Sequence, residues 1–136
     1  MRYLKIAGLA ALIALFLTLS VGAHEVGMRA AVQVRAANGN TITYSESTLP
    51  ANAQVTSVKV TVGYSTGEPM ARGRIEIYAP DPPNARRNPH DPPRPWQTGT
   101  LNARGEYTFR PDLSRRGRWT IRVEQNNHTN FILLVI

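Results

Sequence analysis

The chain has 136 residues, of which 42% are hydrophobic, 18% charged and 7% aromatic, and its formal net charge is +7. This length suits a single domain, and the high hydrophobic share argues against intrinsic disorder. The ten glycines follow no fixed period and cysteine is absent, which excludes a collagen-like chain, disulfides, thiolate metal sites and a thiol nucleophile.

The first 23 residues have the layout of a secretory signal peptide. Two basic residues precede the uncharged run from Ile6 to Leu19, and small residues lead up to Ala23. Cleavage after Ala23 would leave His24 as the new N-terminus. The sequence therefore predicts a periplasmic or secreted domain over residues 24–136.

An uncleaved membrane anchor is the alternative, because residues 6–23 reach the short end of the ~17–25 residues that span a bilayer. Loss of Arg2 and Lys5 with a signal peptide would lower the net charge to +5. The remaining basic side chains alternate with apolar ones along separate segments. A nucleic-acid binder gathers them on one face, so no nucleic-acid partner is predicted.

Apolar and polar residues alternate with period two over most of residues 24–136, which indicates strands rather than helices. The segment Ala30–Ala37 is followed by the turn pair Asn38-Gly39, and Ile42 and Tyr44 return on a partner strand. The inward-facing candidates that follow are Val58, Val60, Val62, Tyr64, Ile75, Ile77, Tyr107, Phe109, Trp119, Ile121 and Val123.

Two segments depart from this alternation. Residues 79–95 hold seven of the ten prolines, and each proline removes a ladder donor, so they predict an extended loop, followed by a short strand over Trp96–Thr100. The last segment, Phe131–Ile136, is apolar on both faces. We interpret it as a central strand covered by a loop such as the proline-rich one, or as a docking strand for a membrane partner or a second copy.

Seven to eight short strands joined by polar turns predict one all-β sandwich of Ig-like or transthyretin-like topology, preceded by an N-terminal signal helix. No G-x-S-x-G motif or paired carboxylates are present in the sequence, so the expectation is a non-enzymatic protein.

A set of strings across residues 67–123 resembles the carboxypeptidase regulatory-like domain. They are Gly67-Glu68-Pro69-Met70-Ala71, Ile75-Glu76-Ile77-Tyr78-Ala79-Pro80-Asp81, Gln97-Thr98-Gly99-Thr100, Gly105-Glu106-Tyr107-Thr108-Phe109 and Gly117-Arg118-Trp119-Thr120-Ile121-Arg122-Val123. The pattern is most similar to the exported form found beside bacterial nickel and cobalt uptake systems. The resemblance implies a membrane metal transporter as partner. The loop over 82–95 is longer than in that family.

Three histidines are the candidate metal ligands. An exported protein without cysteine must use imidazole, carboxylate or the terminal amine for nickel, cobalt or copper. His24, once exposed by cleavage, would offer an amine and an imidazole together. His90 lies in the proline-rich loop and His128 in the turn before the last strand, and turns at the ends of a sandwich can bring such residues together.

Two functions follow as hypotheses. The first is an exported accessory protein that binds or presents nickel, cobalt or copper to an uptake system. The alternative is a metal-free interaction module that binds a protein or glycan through the proline-rich loop. An N-terminal-histidine copper oxidase is disfavoured, because a domain this small offers little surface for a polymeric substrate.

Overall fold

The computed structural model describes residues 25–136, and the predicted signal segment and His24 lie outside them. Eight strands are present: β1 (Val26–Arg35), β2 (Thr41–Ser45), β3 (Val55–Tyr64), β4 (Arg74–Tyr78), β5 (Gln97–Thr100), β6 (Glu106–Phe109), β7 (Arg118–Gln125) and β8 (His128–Val135). The prediction of an all-β domain is confirmed for this part of the chain. No helix within residues 25–136 has the length and apolarity to cross a membrane.

The strands form two four-stranded antiparallel sheets. The first has the order β2-β1-β3-β6 and the second the order β5-β4-β7-β8. Buried side chains from both sheets belong to one hydrophobic cluster, which gives the domain a sandwich-like arrangement. The fully buried members of the cluster are Val32, Val58, Val60, Val62, Met70, Ile75, Ile77, Leu101, Trp119, Ile121, Val123 and Leu134.

The period-two pattern predicts most of the core correctly, but Tyr64 and Tyr107, which it places inward, are only partly buried. Every second residue of β3 from Val58 to Val62 is buried, and so is every second residue of β7 from Trp119 to Val123. The intervening side chains lie outward because successive residues of a strand point to opposite faces. The pair Asn38-Gly39 forms the predicted turn between β1 and β2, with Gly39 at a φ of 85° that suits glycine.

Aromatic rings join the two sheets. The ring of Trp119 on β7 lies 5.0 Å from that of Trp96 and 6.4 Å from that of Phe109 on β6. The Trp119 indole N–H donates to the carbonyl of Arg115 at 2.9 Å, so its polar atom is satisfied inside the core. Trp96 precedes β5 rather than opening it, but its ring packs against the core as part of this cluster.

The last strand differs from one expectation. One of our two interpretations was a central strand covered by a loop, but β8 is an edge strand that pairs with β7 alone among the strands of residues 25–136. Its outward side chains Phe131, Leu133 and Val135 are exposed at 58%, 41% and 62%. The interpretation was wrong because periodicity reports which faces of a strand are apolar and not which strands flank it.

Trp119→Ala is expected to lower the free energy of unfolding by about 3–5 kcal/mol, because it removes a fully buried ring and leaves a cavity. Chemical denaturation measures this loss. The control is Arg118→Ala, at the exposed residue next to Trp119, and it should change the free energy of unfolding by about 0.5 kcal/mol or less. A loss below about 1 kcal/mol for the Trp119 variant would contradict the packing of this ring between the two sheets.

Candidate functional site

The strand registers place His128 at one end of the domain, which we name the entry end. Here Val26 opens β1 opposite Tyr64, the last residue of β3, and Gln125 at the end of β7 pairs with His128 at the start of β8. The amide of Asn130 donates to the carbonyl of Val26 at 2.7 Å and ties the two sheets together. The start of the described chain and the β7–β8 turn are therefore neighbours.

His128 is half-buried against an aromatic ring. Its imidazole meets Tyr64 edge-on, with ring centroids 5.5 Å apart and an angle of 73° between the planes. Asn126 and Asn127 form the turn before it at positive φ values of 49° and 65°, a conformation that asparagine tolerates better than most residues. The turn thus holds the histidine at the rim of the core, where its ring meets both apolar surface and solvent.

Tyr64 is fixed by hydrogen bonds as well as packing. Its hydroxyl donates to Gln125 Oε1 at 2.5 Å, and Gln125 Nε2 donates to the carbonyl of Ala71 at 2.6 Å. Burial raises the pKa of the Tyr64 hydroxyl, so this group is a hydrogen-bond donor at neutral pH rather than an anionic ligand. The ring that contacts His128 is consequently positioned by two strands and a turn.

Glu25, the residue after His24, is held at the same end. Its N–H donates to Ser65 Oγ at 3.3 Å, and the N–H of Ser65 donates to the carbonyl of Glu25 at 2.9 Å. Ser65 directly follows Tyr64, whose ring contacts His128. Glu25 is therefore bonded to the residue that follows Tyr64, and His24 itself lies outside the described residues.

Two shallow grooves meet at the entry end. One of about 380 Å³ is lined by Tyr64, Thr66, Glu68, Gln125, Asn126 and His128. A larger one of about 700 Å³ shares Tyr64 and Glu68, and its lining includes Glu25, Arg29 and Arg104. Within this larger groove, Gly27 on β1 pairs with Gly63 on β3, and neither residue has a side chain that would fill the space. Sequence reasoning did not predict that Glu25 and Glu68 line one groove, because this depends on β1–β3 pairing.

His90 lies at the other end of the domain. Tyr78 ends β4 opposite Thr120 near the start of β7, and the proline-rich loop departs from there. Asp91, the neighbour of His90, lines a cleft of about 440 Å³ with Tyr78 and Arg115. Because β7 rises about 3.3 Å per residue, this end lies on the order of 20 Å from His128. His90 and His128 are not brought together.

The loop that carries His90 is exposed and held by a few bonds. The N–H of His90 donates to Asn88 Oδ1 at 3.2 Å, and Arg115 Nε donates to the carbonyl of Pro80 at 3.0 Å. As predicted, residues 79–95 contain no strand. Within residues 25–136 no three His, Asp or Glu side chains are grouped closely enough to hold a metal ion.

The best-organised charge network lies on the outer face of the second sheet. Glu76 on β4 accepts hydrogen bonds from the Tyr78 hydroxyl at 2.7 Å and from Arg122 Nη1 at 2.9 Å, and Arg122 also binds Glu124 at 3.0 Å. The Glu76 side chain is only 14% exposed. The bond from Tyr78, with the positive charges of Arg74 and Arg122, lowers the pKa of Glu76. We interpret this cluster as stabilising the sheet.

No protein-family model matches the chain, and neither the curated proteins nor the solved structures contain a significant match to it.

The lowered pKa of Glu76 predicts a pH-dependent contribution to stability. The carboxylate stabilises the fold above its unfolded pKa of ~4.3, and this contribution is lost as pH falls through the lower folded pKa. Glu76→Gln should therefore reduce the free energy of unfolding at pH 7 by about 1–2 kcal/mol, and the difference from the parent should shrink towards pH 2. Urea denaturation across that range measures it.

Asp91→Asn makes the same change of charge at an exposed loop position and is the control. It should leave stability nearly unchanged at every pH. A Glu76→Gln deficit that stayed constant down to pH 2 would show that the loss comes from packing and not from the carboxylate charge.

Proposed function

We propose that this is an exported, non-enzymatic accessory protein that binds a divalent transition metal, nickel, cobalt or copper, and presents it to a membrane uptake transporter. One observation carries the proposal. Glu25, which follows the expected mature N-terminus, is hydrogen-bonded to Ser65, and the adjacent Tyr64 ring contacts His128. His128 and Glu25, the residue that follows His24 in the sequence, therefore lie at the same end of the domain.

The donor chemistry fits such an ion. A terminal amine and an imidazole from one residue form a chelate that suits square-planar copper or nickel, and a second imidazole would add a further nitrogen ligand. The chain has no cysteine to compete as a ligand. His24 and His128 are the proposed ligands, and His90 is left out because it lies at the opposite end.

The resemblance to the carboxypeptidase regulatory-like domain supports the accessory role. It would make the two sheets an Ig-like or transthyretin-like sandwich and the protein periplasmic or secreted, with residues 1–23 removed as a signal peptide. A retained segment over 6–23 would instead anchor the same domain at the membrane. Its entry end would then face the bilayer, because Glu25 lies there.

The loop cleft favours the alternative function, a metal-free interaction module that binds a protein or glycan. Its lining combines Trp96 with acidic and basic side chains, Asp81, Asp91, Arg87, Arg94 and Arg115. An aromatic ring beside charges of both signs suits hydrogen-bonded recognition of a polar partner. This cleft is far from the entry end, so variants can separate the two functions.

The mature protein is expected to begin at His24, because small residues precede the cleavage position. Intact-mass measurement of the exported form decides this. A mass that retains residues 1–23 would favour the anchored form and remove the amine ligand from the proposed site.

Isothermal titration of the exported protein with nickel, cobalt and copper should show one tight site for at least one of them. His24→Ala and His128→Ala are each expected to weaken it by about tenfold or more, since each removes a nitrogen ligand. An extra residue ahead of His24 should weaken it as well, because it moves the free amine away from the imidazole.

His90→Ala is the matched control and should bind metal as the parent does. If the parent binds none of the three ions at micromolar concentration, the metal proposal fails and the interaction module replaces it. If His90→Ala weakens binding and His128→Ala does not, the site belongs to the proline-rich loop.

A further inference from the structure

The strand β8 has an open edge that is unusual for its length and composition. It has eight residues, whereas the other edge strands β2, β5 and β6 have five, four and four. It contains no proline, lysine, arginine or carboxylate. Natural sheets normally blunt such edges with charge, proline or short strands. Here the edge instead carries the exposed side chains of Phe131, Leu133 and Val135.

The register shows which backbone groups point to that edge. Gly117 and Ile136 exchange both hydrogen bonds across β7 and β8, at 2.7 and 2.9 Å. In an antiparallel ladder the bonded pairs alternate with non-bonded ones, so Phe131, Leu133 and Val135 direct their N–H and C=O groups away from β7. The same three residues therefore present both apolar side chains and edge-facing backbone groups.

We propose that β8 is a self-association strand, which pairs antiparallel with β8 of a second copy about a two-fold axis at Leu133. Each Leu133 N–H would then donate to the Leu133 carbonyl of the second copy, and each Val135 N–H to its Phe131 carbonyl. The Phe131 N–H already donates to Asn130 Oδ1 at 2.9 Å and keeps that bond. Phe131 would face Val135 of the second copy, an aromatic and β-branched pair that stabilises sheets.

Charge supports a second copy as the occupant. The chain is basic overall, but no ionised residue lies on β8 between Thr129 and Val135. The nearest basic side chains on that face, Arg118 and Arg122, lie one strand away on β7. In the paired sheet, the arginines on β7 of one copy would lie three strand spacings, or about 14 Å, from the arginines on β7 of the second copy. This distance exceeds the Debye length of ~8 Å, so the repulsion between them is largely screened.

A lipid surface is a poorer occupant for the same strand. Hydrocarbon offers no partner for the N–H groups of Leu133 and Val135, and burying such groups without one is unfavourable. The β8 strand of another copy would satisfy them and would also place the apolar side chains of the two copies side by side. The area buried between two eight-residue strands is small compared with the ~1,200 Å² or more that a specific, stable interface buries. We therefore expect a weak, concentration-dependent dimer.

Sedimentation equilibrium of the exported protein from about 10 µM to 1 mM tests the proposal, and a reversible monomer–dimer equilibrium is expected. Leu133→Arg should raise the dimer dissociation constant by about tenfold or more, because it sets two like charges opposite each other. Thr43→Arg adds the same charge at an exposed position on β2, the edge of the other sheet, and should dimerise like the parent.

The register is tested by crosslinking. Two opposite residues that are hydrogen-bonded to each other in an antiparallel pair have Cα atoms about 5.5 Å apart, which is within the range that a disulfide spans. Leu133→Cys, in a chain without other cysteines, should form a covalent dimer under mild oxidation, and Thr43→Cys should not. Each of three results would overturn the proposal. They are a parent that stays monomeric at 1 mM, a dimer that Leu133→Arg leaves unchanged, and a parent that binds neutral phosphatidylcholine vesicles through Leu133 without dimerising.

Discussion

The packing of Trp119 between the sheets is the interaction on which the rest of the structure depends. Its ring contacts Phe109 from the other sheet and Trp96 from the segment before β5, and its N–H is satisfied by Arg115 just ahead of β7. The contacts of this one ring therefore join the two sheets to each other and to the segments that lead into β5 and β7. The ring lies on β7, whose register with β4 and with β8 arranges the second sheet.

That register separates the two surfaces with functional interest. β4 and β7 are antiparallel, so the loop that follows Tyr78 departs beside the start of β7, and the turn to His128 forms at its other end. A metal site at the entry end and a recognition cleft in the proline-rich loop can consequently coexist in one small domain. Neither needs the other for its geometry, because the hydrophobic core lies between them.

Local pattern predicts much of the fold and little of the site. The buried alternation of Val58 to Val62 and of Trp119 to Val123, the Asn38-Gly39 turn and the proline-rich loop all follow from neighbouring residues. The order of the strands determines that β8 lies at an edge and that His90 and His128 lie far apart. This order results from pairing between segments that are distant in the sequence. Glu25 and Glu68 reach one groove through β1–β3 pairing for the same reason. Periodicity carries no information on any of these.

The proposed metal site and the proposed self-association strand would both use β8 without depending on each other. His128 opens the strand, and a two-fold axis at Leu133 would leave the two copies of His128 about ten residues apart along the paired strands, or ~34 Å at the rise of an antiparallel sheet. No metal ion can bridge that distance. Each copy would keep its own entry end, with its own Tyr64 and Glu25, so dimerisation would double the number of sites without completing either. Loss of the dimer would therefore leave metal binding per chain unchanged.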